Sequence, residues 1–239
     1  MTKLIEVKNV FKSFDDLKVL EDVSLDLSSG ESMAIVGPSG VGKSTLLRII
    51  AGLDTADSGI VNVNTKKISM VFQYSALLNS YTVGENIALA FQGNGYKNKE
   101  DVSEKVNELL KLIGLEGYSD HLPDQLSGGQ KKRISFARAV AAEPEVILYD
   151  EPTSGLDPIL STLIEDYMNK ISKEFNIASI VVTHQMSSIK RTVKKVVMLC
   201  HSKVVWQGSP IEFESSNDPY VKQFVAADVK GPVFAELLE

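Results

Sequence analysis

Met33-Ala34-Ile35-Val36-Gly37-Pro38-Ser39-Gly40-Val41-Gly42-Lys43-Ser44-Thr45 decides the fold. Four apolar residues make a short buried strand. The stretch from Gly37 to Thr45 then fits G-x-x-x-x-G-K-[ST], a glycine loop whose backbone N–H groups wrap phosphate oxygens. Leu46, Leu47, Ile49 and Ile50 fall on one helical face, so a helix begins at Lys43, with its anion-favouring N-terminus at the loop. Lys43 is placed to reach β- and γ-phosphates, and Ser44 to set its hydroxyl on Mg²⁺. The candidate phosphate site is the whole run: Gly37, Pro38, Ser39, Gly40, Val41, Gly42, Lys43, Ser44 and Thr45.

Downstream, Val146–Tyr149 reads as a second buried strand and leads into Asp150-Glu151. Ligands of α/β sheets sit at the carboxyl ends of such strands. Asp150 is the candidate partner of Mg²⁺ through water, and Glu151 the general base for an attacking water. The plainer reading, two carboxylates capping the helix after Pro152, loses weight beside a phosphate loop.

The flanks give the architecture. In the first thirty residues, polar Glu6 and Lys8 interleave with Ile5, Val7 and Val10, then Val19-Leu20 and Val23–Leu27 follow, which reads as antiparallel strands. Val102, Val106, Leu109, Leu110 and Ile113 make one helical face opposite Lys and Glu. From Val83 to Ala142 the pattern is helical throughout. Beyond it, Ile159, Leu160, Leu163, Ile164, Tyr167, Met168 and Ile171 form a helix stripe, and Ile180–Val182, Val196–Cys200 and Val204–Trp206 are strands. The expectation is an α/β fold: a phosphate-loop core with a mostly parallel sheet, an N-terminal antiparallel β subdomain and an inserted helical subdomain. The expected division is 1–82 with 143–210 for the core, 83–142 for the helical insert, and 211–239 for a C-terminal extension.

Composition excludes several classes. The chain has 239 residues, 44% hydrophobic and 23% charged, which is ordinary for a globular protein. Its net charge of -6 argues against nucleic acid as a partner. The longest apolar runs, Ile87–Phe91 and Val196–Cys200, fall far short of the roughly 20 residues of a membrane span. The N-terminus mixes acid and base and does not read as a signal peptide. Cys200 reads as a buried structural thiol, and the expected location is cytoplasmic. His121 and His201 read as surface or loop residues.

Leu126-Ser127-Gly128-Gly129-Gln130 lies between the phosphate loop and Asp150-Glu151. With it, Leu4 to Gly208 resembles an ATP-binding cassette ATPase. That resemblance implies Mg-ATP as substrate and a head-to-tail dimer of two copies sharing two sites. Ser127 and its neighbours would then face the nucleotide of the other copy. Gln73 is implied to touch Mg²⁺ and the attacking water, His184 the γ-phosphate, and Asp157 the dimer interface. Phe14 stands where the family sets an aromatic ring under adenine. Phe11 is its rival, and a core role for Phe14 stays open.

Two stretches narrow the resemblance. Met70–Leu78 and the tail Asn217–Phe224 with Gly231-Pro232-Val233 are similar to cassettes of Mla/MCE-type phospholipid transport. This implies an integral-membrane permease, an MCE-type lipid-binding partner, and peripheral attachment to the cytoplasmic face of the inner or plasma membrane. A soluble assembly-scaffold cassette and an importer of another cargo remain the alternatives. A GTPase is the weaker rival, although Asn98-Lys99-Glu100-Asp101 fits the run Asn-Lys-x-Asp. Asp218-Pro219 starts a tail helix with Tyr220, Val221, Phe224 and Val225 on its apolar face, and Val233, Phe234, Leu237 and Leu238 follow. This tail either folds back on its own chain or clasps the second copy.

Overall fold

The computed structural model describes residues 2–91 and 98–233. In chain order these form β1 (Lys3–Phe14), β2 (Leu17–Ser28), β3 (Ser32–Val36), α1 (Lys43–Ile50), β4 (Ser58–Val63) and β5 (Ile68–Val71). Then come α2 (Val83–Ala88), α3 (Lys99–Leu112), α4 (Gly128–Ala141), β6 (Val146–Asp150) and α5 (Pro158–Phe175). The chain closes with β7 (Ala178–Val182), α6 (Met186–Thr192), β8 (Lys195–Cys200), β9 (Lys203–Gly208), α7 (Pro210–Glu214) and α8 (Pro219–Ala226). Two compact units result, Met1–Lys66 with Ala178–Glu239, and Lys67–Ile177.

In the first unit, β1 lies between β2 and β4, antiparallel to both. Ile5, Val7 and Val10 are buried while Glu6 and Lys8 lie outward. The sequence suggests two pieces for β2, but the structure makes one strand. Asn9 and Asp22 adopt positive φ and absorb the register shifts. The Asn9 side-chain amide donates to Asp22 Oδ1 at 2.6 Å and its backbone N–H to Ser24 Oγ at 2.9 Å, which holds the irregularity in place.

The same unit holds the strands that carry the phosphate loop. β3 pairs in parallel with β7 on one side and β8 on the other, and β9 runs antiparallel to β8. Met33, Ala34, Ile35 and Val36 are fully buried, which is why this strand is apolar without alternation. Cys200, at the end of β8, is buried.

The tail closes on this unit. Ser209 caps α7 in a reciprocal box with Glu212, and the buried Phe213 meets the rings of Trp206 and Phe224 edge-on. Asp218 caps α8, and Pro219 fits its first turn. Gln223 donates to the Asp228 carbonyl and accepts the Val233 N–H at 2.7 Å. His201 shares a hydrogen bond of 2.9 Å with the Pro232 carbonyl and meets Tyr220 edge-on. Through Val233 the tail is therefore fixed on its own chain. Phe234, Leu237 and Leu238 lie outside the described residues.

The second unit takes in β5, β6 and α5 as well as the helices of 83–142, where the described residues include no strand. β5 and β6 pair in parallel, with Val71 opposite Tyr149. Val106, Leu109, Leu110 and Ile113 face inward from the α3 region, and Ile164, Met168 and Ile171 from α5. Phe136 of α4 tilts against Tyr149 at 5.5 Å. Burial pushes the Tyr149 phenol above its ordinary range, so it stays neutral.

Candidate nucleotide site

In the first unit, β3 and β7 end at the same edge. Ile35 is in register with Val182, and Thr183 N–H donates to the Ile35 carbonyl at 3.3 Å. The turn after β3 is the glycine loop, and the turn after β7 carries His184, so the pairing sets both at one parallel-strand edge. Gly37 has φ +142°, and a Cβ there would drive into the Leu199 carbonyl. Gly42 has φ +101°, and its Cβ would lie 2.6 Å from the Val19 carbonyl oxygen. Only glycine lets the backbone turn so closely and present its N–H groups.

The next residue is Lys43, the first of α1. It is buried, and its ammonium donates to the carbonyls of Gly37 and Pro38 at 2.9 and 2.7 Å. The cation is thus held in the mouth of the loop. Ser44 is exposed beside it, and His184 is exposed after the buried Thr183. Phe14, the last residue of β1, is 47% exposed and Phe11 39%.

The second unit repeats the edge arrangement. Gln73 follows β5, Asp150 ends β6, and the Gln73 amide donates to Ser154 Oγ at 3.4 Å. Asp150 is buried. Glu151 has φ 46°, a left-handed conformation that costs a non-glycine residue on the order of 1 kcal/mol. The turn around it is braced: Ser154 N–H donates to the Glu151 carbonyl at 3.1 Å, and Lys132 donates to the Ser154 carbonyl at 2.6 Å. Burial lowers the Lys132 ammonium from its ordinary range, while the Glu151 carboxylate pulls the other way.

Ser127 caps α4. Its hydroxyl accepts the Gln130 N–H, and the Gln130 side chain accepts the Ser127 N–H at 2.8 Å. Leu126 and Gly129 are buried, while Ser127 and Gly128 are exposed, and nothing lies within 4 Å of a Cβ placed on Gly128. Asp157 caps α5 through the N–H groups of Ile159 and Leu160. A cavity of about 530 Å³ is lined by Gln73, Tyr74, Gly128, Lys132 and Ser154 among others.

Oxygen donors of the kind a hard cation takes are the Ser44 hydroxyl in the first unit and, in the second, the Gln73 amide and the Asp150 carboxylate. The glycine cradle and helix terminus likewise fit a polyphosphate.

The family described as ABC transporter matches residues 20–154. The chain belongs to the ABC transporter family. It is 40% identical to TRIGALACTOSYLDIACYLGLYCEROL 3, chloroplastic, of Arabidopsis thaliana, over 96% of this chain and 75% of that protein. It is 43% identical to the methionine import ATP-binding protein MetN of Clostridium tetani, over 84% of this chain and 68% of that one. Among solved structures, the dimeric post-hydrolysis state of the ATP-binding cassette MJ0796 bound to ADP and phosphate superposes with a TM-score of 0.78 at 33% identity, over 86% of this chain and 98% of that one. cbiO1 from Clostridium perfringens gives 0.81 at 26% identity, covering 96% of each chain. As an ABC transporter ATPase, the chain couples ATP hydrolysis to transport. Among its described residues no helix is long and apolar enough to cross a membrane.

Sequence reasoning missed what holds the loop after Gln73 in this ABC ATPase. Ser135 of α4 donates to the Ser75 carbonyl at 2.6 Å, and Arg138 to the Ala76 carbonyl at 2.8 Å. Asn86 of α2 is fully buried: it accepts the Leu78 N–H and donates toward the carbonyls of Leu78, Tyr81 and Thr82. Only the polar residues within apolar helix faces hinted at this, and such residues more often serve their own helix.

Proposed function

We propose that the chain hydrolyses Mg-ATP at two sites shared by two head-to-tail copies and so drives an integral-membrane permease that moves phospholipid. The observation that carries this reading is the braced turn at the end of β6, where a left-handed Glu151 follows a buried Asp150. Strain held by surrounding hydrogen bonds is characteristic of functional positions.

The roles follow from chemistry. The loop Gly37–Thr45 binds the phosphates through backbone N–H groups, and Lys43 leaves its carbonyl partners for the γ-phosphate. Phe14 stacks on adenine. Ser44, Gln73 and Asp150 would hold Mg²⁺, which would neutralise phosphate charge. Glu151 accepts the proton of the attacking water, Gln73 orients that water, and His184 contacts the γ-phosphate. Leu126, Ser127, Gly128, Gly129 and Gln130 bind the nucleotide held by the other copy, and Asp157 lies at the interface of the two copies.

We place the chain on the cytoplasmic face of the membrane, attached through its permease, with the helical segment 83–142 as the subdomain carrying the signature residues and an MCE-type protein as further partner. Support for the lipid cargo comes from the Arabidopsis relative, whose name carries a galactolipid. The MetN relative favours a second reading, import of a small solute. The test is to purify the chain from detergent-solubilised membranes with its permease, reconstitute the complex in nanodiscs, and measure ATPase activity with added phospholipid and with methionine. Stimulation by phospholipid supports the first reading. Stimulation by methionine supports the second, and purification without any membrane protein contradicts both.

A further inference from the structure

Phe14 does not stand alone at the end of β1. Lys12 lies two residues earlier, on the same face of the strand. It is 8% exposed, unusual for lysine, and its ammonium sits 4.9 Å from the centroid of the Phe14 ring. The charge is held from the other side: Nζ donates to the Thr55 carbonyl at 2.8 Å and pairs with Asp54 at 3.1 Å and Asp57 at 3.6 Å. An ammonium has three protons, and here they meet one short turn.

That turn is itself fastened to β1 on either side of Lys12. Asp57 Oδ2 accepts the Ser13 N–H at 2.7 Å, and Asp57 N–H donates to the Phe11 carbonyl at 2.9 Å. Asp54 Oδ1 also accepts the Thr55 N–H at 2.7 Å. The turn directly follows α1, whose last carbonyls it satisfies: Gly52 N–H donates to Ile49 and Leu53 N–H to Arg48. The helix whose N-terminus faces the phosphate loop therefore carries at its other end the anchor of Lys12. A cation against a ring is attracted by its negative face, and burial of the ammonium strengthens that attraction.

We propose that Lys12 is a positioning residue for the nucleotide base: clamped by Asp54, Thr55 and Asp57, it occupies one face of Phe14 and fixes the ring so that a purine stacks on the other. Base recognition is thereby tied to the rear of the phosphate-binding helix. This rests on Phe14 being the base platform. It predicts that Lys12 governs affinity for ATP and leaves affinity for inorganic tripolyphosphate unchanged, because the triphosphate alone does not use the ring.

Calorimetric titration of the full chain with ATP and with tripolyphosphate tests it. Phe14→Ala weakens ATP by about tenfold and spares tripolyphosphate, since base stacking is lost. Lys12→Met weakens ATP by about 3- to 10-fold, also sparing tripolyphosphate, and adds nothing in the Phe14→Ala background. Lys12→Arg restores ATP affinity to within about twofold. Should Lys12→Met unfold, Asp57→Asn, at an exposed residue, loosens the same clamp and gives the same selective loss. An unchanged ATP affinity in Phe14→Ala overturns the platform itself. A normal platform result with equal losses of both ligands in Lys12→Met, or with a full additional loss in the double variant, overturns the role of Lys12 alone.

Discussion

Ser135 donates its buried hydroxyl to the backbone carbonyl of Ser75 at 2.6 Å, across sixty residues of chain. Ser135 belongs to α4, the helix capped by Ser127, and Ser75 lies two residues beyond Gln73. The helix that begins with the signature residues thus grips the loop that carries Gln73. Arg138 reinforces the grip one turn further on.

Ser135→Ala should remove one hydrogen bond of about 1 kcal/mol and lower the melting temperature by about 2–4 °C. Hydrogen exchange at residues 75–79 should quicken, while ATP affinity stays within about twofold. Unchanged exchange in that loop would show that Arg138 and Asn86 suffice to hold it.

Lys43→Ala should act at phosphate binding. A charge-assisted hydrogen bond is worth about 1.5–3 kcal/mol, so ATP affinity should fall by roughly 10- to 150-fold. Titration with ATP checks this, with circular dichroism to confirm that the fold persists.

The Lys12 clamp gives a prediction with pH. Hydrogen bonding to Lys12, then to the Thr55 N–H, holds the Asp54 carboxyl below its ordinary range. Folding therefore favours the ionised form. Its contribution is complete above the ordinary carboxylate pKa, about 4, and is lost as pH falls through the lower folded value. Asp54 likewise raises Lys12, whose contribution is complete below about 10.5 and is lost only above that. The difference in melting temperature between the native chain and Asp54→Asn should be constant from about pH 5 to 9 and shrink below about pH 4. A difference independent of pH down to 3 would remove Asp54 as the partner of Lys12.

Much of this was readable from the sequence because it is local. The helix starts at Ser127, Asp157 and Asp218 are capping residues next to the helices they cap, and the phosphate loop states its own geometry through Gly37, Gly42 and Lys43. That the strands flanking β3 run parallel to it follows from apolar runs alternating with helices. What stayed hidden depends on partners distant in sequence. Lys12 finds Asp54 and Thr55 more than forty residues away, and no periodicity marks that pairing. The continuity of β2 through Asp22 needs positive φ at a residue that reads as a turn. His201 looked like an ordinary loop histidine, yet it holds the tail at Pro232. The left-handed φ of Glu151 has no sequence signal, since glutamate rarely adopts it.

Ser127→Arg should place a bulky cation at the exposed start of α4 and block the approach of a second copy. ATP affinity should remain near normal while hydrolysis falls to background. Full activity in this variant would mean that Ser127 serves no shared site.

The central claim, that Glu151 is the general base of a site completed by a second copy, is tested most directly by the mass of Glu151→Gln in solution. Loss of the base should slow hydrolysis by about 10²–10⁴ without loss of ATP binding, so the ATP-bound state accumulates. Light scattering should then give the 26.1 kDa monomer without nucleotide and about twice that mass with Mg-ATP. A chain that binds Mg-ATP and stays at 26.1 kDa, or that turns ATP over at the native rate, would contradict the account.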